Sequence, residues 1–128
     1  MRVFKTRGFA RFARQEMISD EILAKAIRQA EAGLIDAGLG SGLIKLRLAR
    51  PGSGKRGGYR TLIAYQAKSR AVFLFGFAKN ERENISPGQL AELKAIASGF
   101  NRQSDSAFTE DVREGRLQEV DYDEESEG

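Results

Sequence analysis

Residues 71–78 read AVFLFGFA, a run with bulky apolar side chains at successive positions. Side chains alternate across a strand, so a strand that is apolar on both sides must sit inside a sheet covered on both faces. That requirement dictates what the rest of the chain has to supply, namely flanking strands and two layers of helix. The flanking strands are legible. LIKLRLA (43–49) alternates Ile44, Leu46 and Leu48 with Lys45 and Arg47, which gives a strand with one basic face. YRTLIAY (59–65) is a second β-branched and aromatic run, joined to 71–78 by a hairpin at 66–70.

The helices follow from apolar spacing. Between Thr6 and Glu16, the residues Phe9, Phe12 and Ala13 share one helical face while Arg7, Arg11 and Arg14 share another. Ser19 is a good N-cap, with Asp20 and Glu21 in the first turn; Ile22, Leu23, Ala26, Ile27, Ala30 and Leu34 form an apolar stripe, and Gly33 is expected to stop the helix. Ser86 and Pro87 open a third helix, striped by Leu90, Leu93, Ile96, Ala97 and Phe100. Residues 104–115 give a weaker fourth helix, and GRLQEV adds a short strand or turn. Residues 2–5 read as a short edge strand and GLGSG (38–42) as a flexible connector. The order β-α-α-β-β-β-α specifies an α+β domain over 1–120. In it, two N-terminal helices pack on a small, mostly antiparallel sheet with C-terminal helices. The acidic run DYDEESEG (121–128) is expected to be a disordered tail.

Composition narrows the chemistry. The 128 residues include no Cys and no His. That excludes disulfides, thiolate nucleophiles, Ser-His-Asp triads and zinc sites built on Cys or His. No metal or cofactor site is expected. No stretch is long and apolar enough to span a membrane, and the basic N-terminus lacks the apolar core of a secretory signal, so a cytoplasmic protein is expected. Charge is unevenly spread: residues 1–100 carry 18 basic and 8 acidic side chains, whereas residues 101–128 carry 3 and 10. A basic body points to an anionic partner, with nucleic acid the leading candidate.

The basic residues concentrate between 40 and 82, where Lys45, Arg47, Arg50, Lys55, Arg56, Arg60, Lys68, Arg70, Lys79 and Arg82 meet one acid, Glu81. RPGSGKRGG (50–58) contains a G-x-G-x-x-G spacing, but a strand follows it instead of a helix. It is not a P-loop either, because the first glycine of that motif is missing and Arg56 follows Lys55. What remains is a glycine-rich loop that carries Lys55 and Arg56 into Tyr59-Arg60, suited to close approach of a phosphate. Tyr59 and Tyr65 share a strand face, where an exposed ring would stack on a base; core packing is the plainer role, and more so for Tyr65. Lys68 and Arg70 read as solvated turn charges. Lys79, Glu81 and Arg82 gather where the last strand runs out, with Glu81 a weak base but a good orienting partner.

These segments carry a resemblance. GLIKLRLARPGSGKRGGYRTLIAY, the strand ending FAKNERENIS and the helix with LAELKAIA together resemble the RelE/ParE toxin superfamily, in particular its HigB-like branch, over about residues 1–120. The resemblance implies the toxin of a type II toxin–antitoxin pair. Such a toxin is an endoribonuclease that cleaves mRNA, usually on the ribosome, and is held in check by a cognate antitoxin, often a helix-turn-helix protein. By position it implies a metal-free site of Lys55, Arg56, Tyr59, Arg60, Lys79 and Glu81, with Lys45, Arg47, Arg50 and Arg82 binding RNA. Arg60 and Arg56 would hold the scissile phosphate and Lys79 or Lys55 would donate the proton. Tyr59 or Glu81 would position or activate the 2′-hydroxyl. Two other readings stand beside it: a ParE-like inhibitor of DNA gyrase, and a nucleic-acid-binding module without catalysis.

Overall fold

The computed structural model describes residues 1–49, 58–79 and 84–122. Ten elements run in the order β1 (Arg2–Thr6), α1 (Arg7–Gln15), α2 (Asp20–Glu31), β2 (Ala37–Gly40), β3 (Leu43–Leu48), β4 (Tyr59–Gln66), β5 (Arg70–Ala78), α3 (Pro87–Arg102), α4 (Asp105–Arg113) and β6 (Leu117–Val120). The six strands form one sheet in the order β2-β3-β4-β5-β1-β6. Among the described residues only the β1–β5 pairing is parallel, so the fold is α+β with a mostly antiparallel sheet.

β5 lies inside the sheet, as its doubly apolar sequence requires. Two expectations are corrected. β1 is no edge strand: Val3 and Phe4 are both fully buried, and the strand pairs with β5 on one side and β6 on the other. The connector GLGSG contributes to an edge strand, since Gly38 and Gly40 pair with Ile44 and Leu43 through backbone groups that need no side-chain pattern. Gly40, Ser41 and Gly42 then turn the chain with positive φ at all three positions.

The helices start where their caps lie. Ser19 accepts a hydrogen bond from the Ile22 amide at 3.3 Å. Ser86 and Gln89 form a reciprocal capping box with Pro87 in the first turn. α1 and α2 cover one face, where Phe9, Ala13, Leu23 and Ile27 join Leu46, Leu48, Tyr59, Ile63 and Phe73 in one core. α3 and α4 serve the other face, where Leu93, Ala97 and Phe108 pack with Phe4, Leu43, Leu62, Ala64 and Val72. No helix among the described residues is long and apolar enough to cross a membrane.

A β-bulge decides which aromatics share a face. Leu62 pairs with Phe75 but Ile63 pairs with Phe73, which leaves Leu74 as the extra residue of β5. Simple alternation would put Phe73, Phe75 and Phe77 on one side. The bulge instead sends Phe73 into the α1–α2 core and Phe75 and Phe77 to the opposite face.

Candidate nucleic-acid interface

The end of the sheet formed by the close of β3, the start of β4 and the close of β5 carries the candidate site. Arg47 lies directly across from Arg60, and Arg60 directly across from Phe77. The next row holds Lys45, Leu62 and Phe75. Cross-strand partners share a face, with β-carbons about 5 Å apart, so Lys45, Arg47 and Arg60 form one basic surface floored by Leu62 and two phenylalanines. α3 covers the rows beyond, at Leu43 and Ala64. Arg47 is exposed, while Lys45, Arg60 and Phe75 are half-buried. The Phe75 and Phe77 rings lie 6.1 Å apart.

Arg60 is the unusual member. Its Nη1 is buried and has no hydrogen-bond partner among the described residues. A buried donor without an acceptor is unfavourable by about 1–3 kcal/mol, and more for a charged group. By contrast, Arg2 is fully engaged: it donates to Glu119 and Asp105, and these bonds raise its pKa against the opposing effect of burial.

Lys79 is exposed at the same end, and its amide donates to the Gly58 carbonyl at 3.0 Å, tying β5 to the start of β4. Gly58 has no room for a side chain, because an added β-carbon would stand 2.8 Å from the Leu48 carbonyl oxygen. A groove of 320 Å³ borders Arg47 on the β2 side, lined by Ala26, Gln29, Leu34, Ile35, Asp36 and Leu46.

Of the residues expected at the site, the fold brings Lys45, Arg47 and Arg60 onto one face, with Lys79 at its end. Arg50, Lys55, Arg56, Glu81 and Arg82 lie outside the described residues. Tyr59 does not join the basic face. Its ring is only 1% exposed on the opposite side of the sheet, edge-on to Phe12 at 5.7 Å, and its hydroxyl donates to Glu16 at 2.8 Å. The expectation that Tyr65 is the more buried tyrosine is thereby reversed. Tyr65 is half-buried, and its hydroxyl donates to Glu31. Burial, with help from that carboxylate, pushes its phenol up from its ordinary value.

Two further charges leave the basic field. Arg70 is not a solvated turn charge: its guanidinium lies 4.5 Å from the Phe108 ring centroid and donates to the Gln103 carbonyl at 2.8 Å. Lys68 is exposed at positive φ in the same turn, at the far end of the sheet. Phe75 was missed as a surface residue. A strand apolar throughout conceals which of its residues stays half open, and only the bulge assigns the face. Tyr122, where the acidic run begins, packs on the α1–α2 side with the Arg28 guanidinium 6.0 Å away. The chain therefore heads into that run from the face opposite Arg47 and Arg60.

A family model described as the RelE toxin of the RelE / RelB toxin-antitoxin system matches residues 1–120.

Proposed function

The chain belongs to the RelE toxin family, and from that premise we propose that it inhibits translation as a HigB-like, ribosome-dependent endoribonuclease that cleaves mRNA without a metal. Membership makes it the toxin of a toxin–antitoxin pair with a cognate antitoxin; a helix-turn-helix protein is the proposed form of that partner.

The observation that carries the catalytic reading is Arg60, a guanidinium on the basic face with a buried donor unpaired among the described residues. A planar fork of donors fits the two non-bridging oxygens of a phosphodiester. In the proposed reaction the 2′-oxygen attacks the adjacent phosphorus, the P–O5′ bond breaks, and a 2′,3′-cyclic phosphate and a 5′-hydroxyl result. Negative charge builds on the phosphorane oxygens, where Arg60 and Arg56 stabilise it. A fixed donor of this kind is worth about 10²–10³ in rate. Lys79 or Lys55 supplies the proton to the departing 5′-oxygen. Glu81 is the group proposed to orient the 2′-hydroxyl and to take its proton as the new P–O bond forms, since Tyr59 faces the other side of the sheet. Lys45, Arg47, Arg50 and Arg82 bind flanking phosphates.

Regulated expression of the chain, followed by primer extension on a translated message, tests this reading. New 5′ ends within the message, absent for Arg60→Ala, are expected. Intact mRNA with broken chromosomal DNA would instead mark a gyrase inhibitor, and salt-sensitive RNA binding with neither lesion would mark a binding module.

A further inference from the structure

Phe75 has no place in the proposed reaction, yet a bulge is what puts it on the basic face. Leu74 is the extra residue that reverses the alternation of β5. Without it Phe75 would point with Phe73 into the α1–α2 core. A bulge leaves its extra residue out of the ladder, which weakens the pairing locally. Bulges recur beside active sites, where they re-aim a side chain.

What the bulge re-aims is a ring that stays open. Leu62 and Phe77 beside it are only 1% and 4% exposed, whereas Phe75 is half-buried. Of these three apolar floor residues, Phe75 alone presents a surface of any size. Lys45 shares its row, and Arg47 and Arg60 stand in the next. An aromatic face among cations is the combination that holds single-stranded RNA: the cations follow the phosphates and the ring stacks a base. The side chains of the two rows offer no hydrogen-bond acceptor. Lys45, Arg47 and Arg60 only donate, and Leu62, Phe75 and Phe77 do neither. They have no means of reading the amino group of a base. What they sense is stacking area, which is larger for a purine.

Position determines which base the ring meets. Arg60 lies across from Phe77, so Phe75 is its diagonal neighbour, with β-carbons about 7–8 Å apart. That separation suits a phosphate on Arg60 and the base of the adjoining nucleotide on Phe75. Phe75, Phe77 and Lys79 follow one another toward the end of β5. With Lys79 at the departing 5′-oxygen, the downstream nucleotide lies past Phe77. The nucleotide whose 2′-hydroxyl attacks then lies back over Leu62 and Phe75. We propose that Phe75 stacks the base on the 5′ side of the cut and so gives the protein a preference for a purine there. This rests on the reading of the basic face as the cleavage site and adds to it the residue that selects where the message is cut.

The test maps cuts by primer extension across one translated message for wild type, Phe75→Leu and Phe75→Trp. The readout is the ratio of cuts after purines to cuts after pyrimidines, because a loss of folded protein lowers both alike. Phe75→Leu keeps apolar bulk without a π face. Its cuts after purines are expected to fall about 5–150-fold, the equivalent of one stacked base at tenfold per about 1.4 kcal/mol, and the ratio to fall toward unity. Phe75→Trp keeps the ratio at or above the wild-type value. A second arm needs no cleavage: a 2′-O-methylated tetranucleotide carrying 2-aminopurine, whose fluorescence is quenched by stacking, is titrated with the full chain. Wild type is expected to quench it and Phe75→Leu, at saturation, is not. A wild type indifferent to the base, an unchanged ratio in Phe75→Leu, or quenching that this variant retains overturns the proposal and leaves the cleavage reading standing. Phe75-dependent quenching by a wild type that makes no cuts removes the cleavage reading and supports the stacking contact by itself.

Discussion

Tyr59 and Arg60 are adjacent in the chain and end in opposite surroundings. Tyr59 points into the α1–α2 core, edge-on to Phe12 with its hydroxyl on Glu16. Arg60 points to the face that α3 leaves open at this end, between Arg47 and Phe77, with Nη1 unpaired among the described residues. At the start of β4 one residue thus holds the sheet to its helices and the next presents charge. The difference teaches that polarity alone does not mark a site. The tyrosine with a satisfied hydroxyl is framework, while the arginine with a nitrogen unpaired among the described residues is the one proposed to meet an anion.

The comparison can be broken most easily at its larger member. Tyr59→Ala removes a fully buried aromatic and is expected to destabilise the fold by about 3–5 kcal/mol, seen in urea denaturation. Tyr59→Phe keeps the ring, loses about 1 kcal/mol with the Glu16 bond, and leaves mRNA cleavage at the wild-type rate. Slow cleavage by that variant would return Tyr59 to the chemistry. Arg60→Ala is the mirror case. Cleavage should fall about 10²–10³-fold, with a melting temperature no lower than wild type, because the buried Nη1 has no hydrogen-bond partner among the described residues.

A smaller effect tests the packing beneath the site. A β-carbon on Gly76 would stand 2.5 Å from the Phe12 ring. Gly76→Val is expected to lose about 1–3 kcal/mol through overpacking, and to lose cleavage only in proportion to the folded fraction. The smallest effect concerns the other tyrosine. Burial raises the folded pKa of Tyr65, with the Glu31 carboxylate adding to it, whereas an unfolded phenol ionises near about 10. The unfolded state therefore releases its proton first. The contribution of Tyr65 is complete below about pH 10 and declines as pH rises beyond that. Tyr65→Phe should flatten the fall of stability between about pH 9 and about pH 11, measured against wild type.

Much of this was legible in the sequence, because it is written in side-chain periodicity. The alternation of 43–48, the caps Ser19 and Ser86, and the doubly apolar run of β5 each have a physical cause that acts locally. The rest depends on partners distant in sequence. β2 is held by backbone bonds from glycines that carry no pattern. β1 becomes interior only because β6 returns from residue 117 to pair with it. Phe75 reaches the basic face through one extra residue in β5. The tyrosines exchange places because Phe12 covers Tyr59, which spacing within β4 does not reveal. At the candidate site, the shared face of Lys45 and Arg47 followed from alternation, but their pairing with Arg60 needed the register.

The central claim is that the open basic face cuts RNA. It is tested most directly by primer extension on one translated message after induction of wild type, Tyr59→Phe and the double variant Arg60→Ala with Lys79→Ala, all expressed to equal folded amounts. Breaks with wild type and Tyr59→Phe but none with the double variant are the predicted result. Undiminished breaks with the double variant would contradict it.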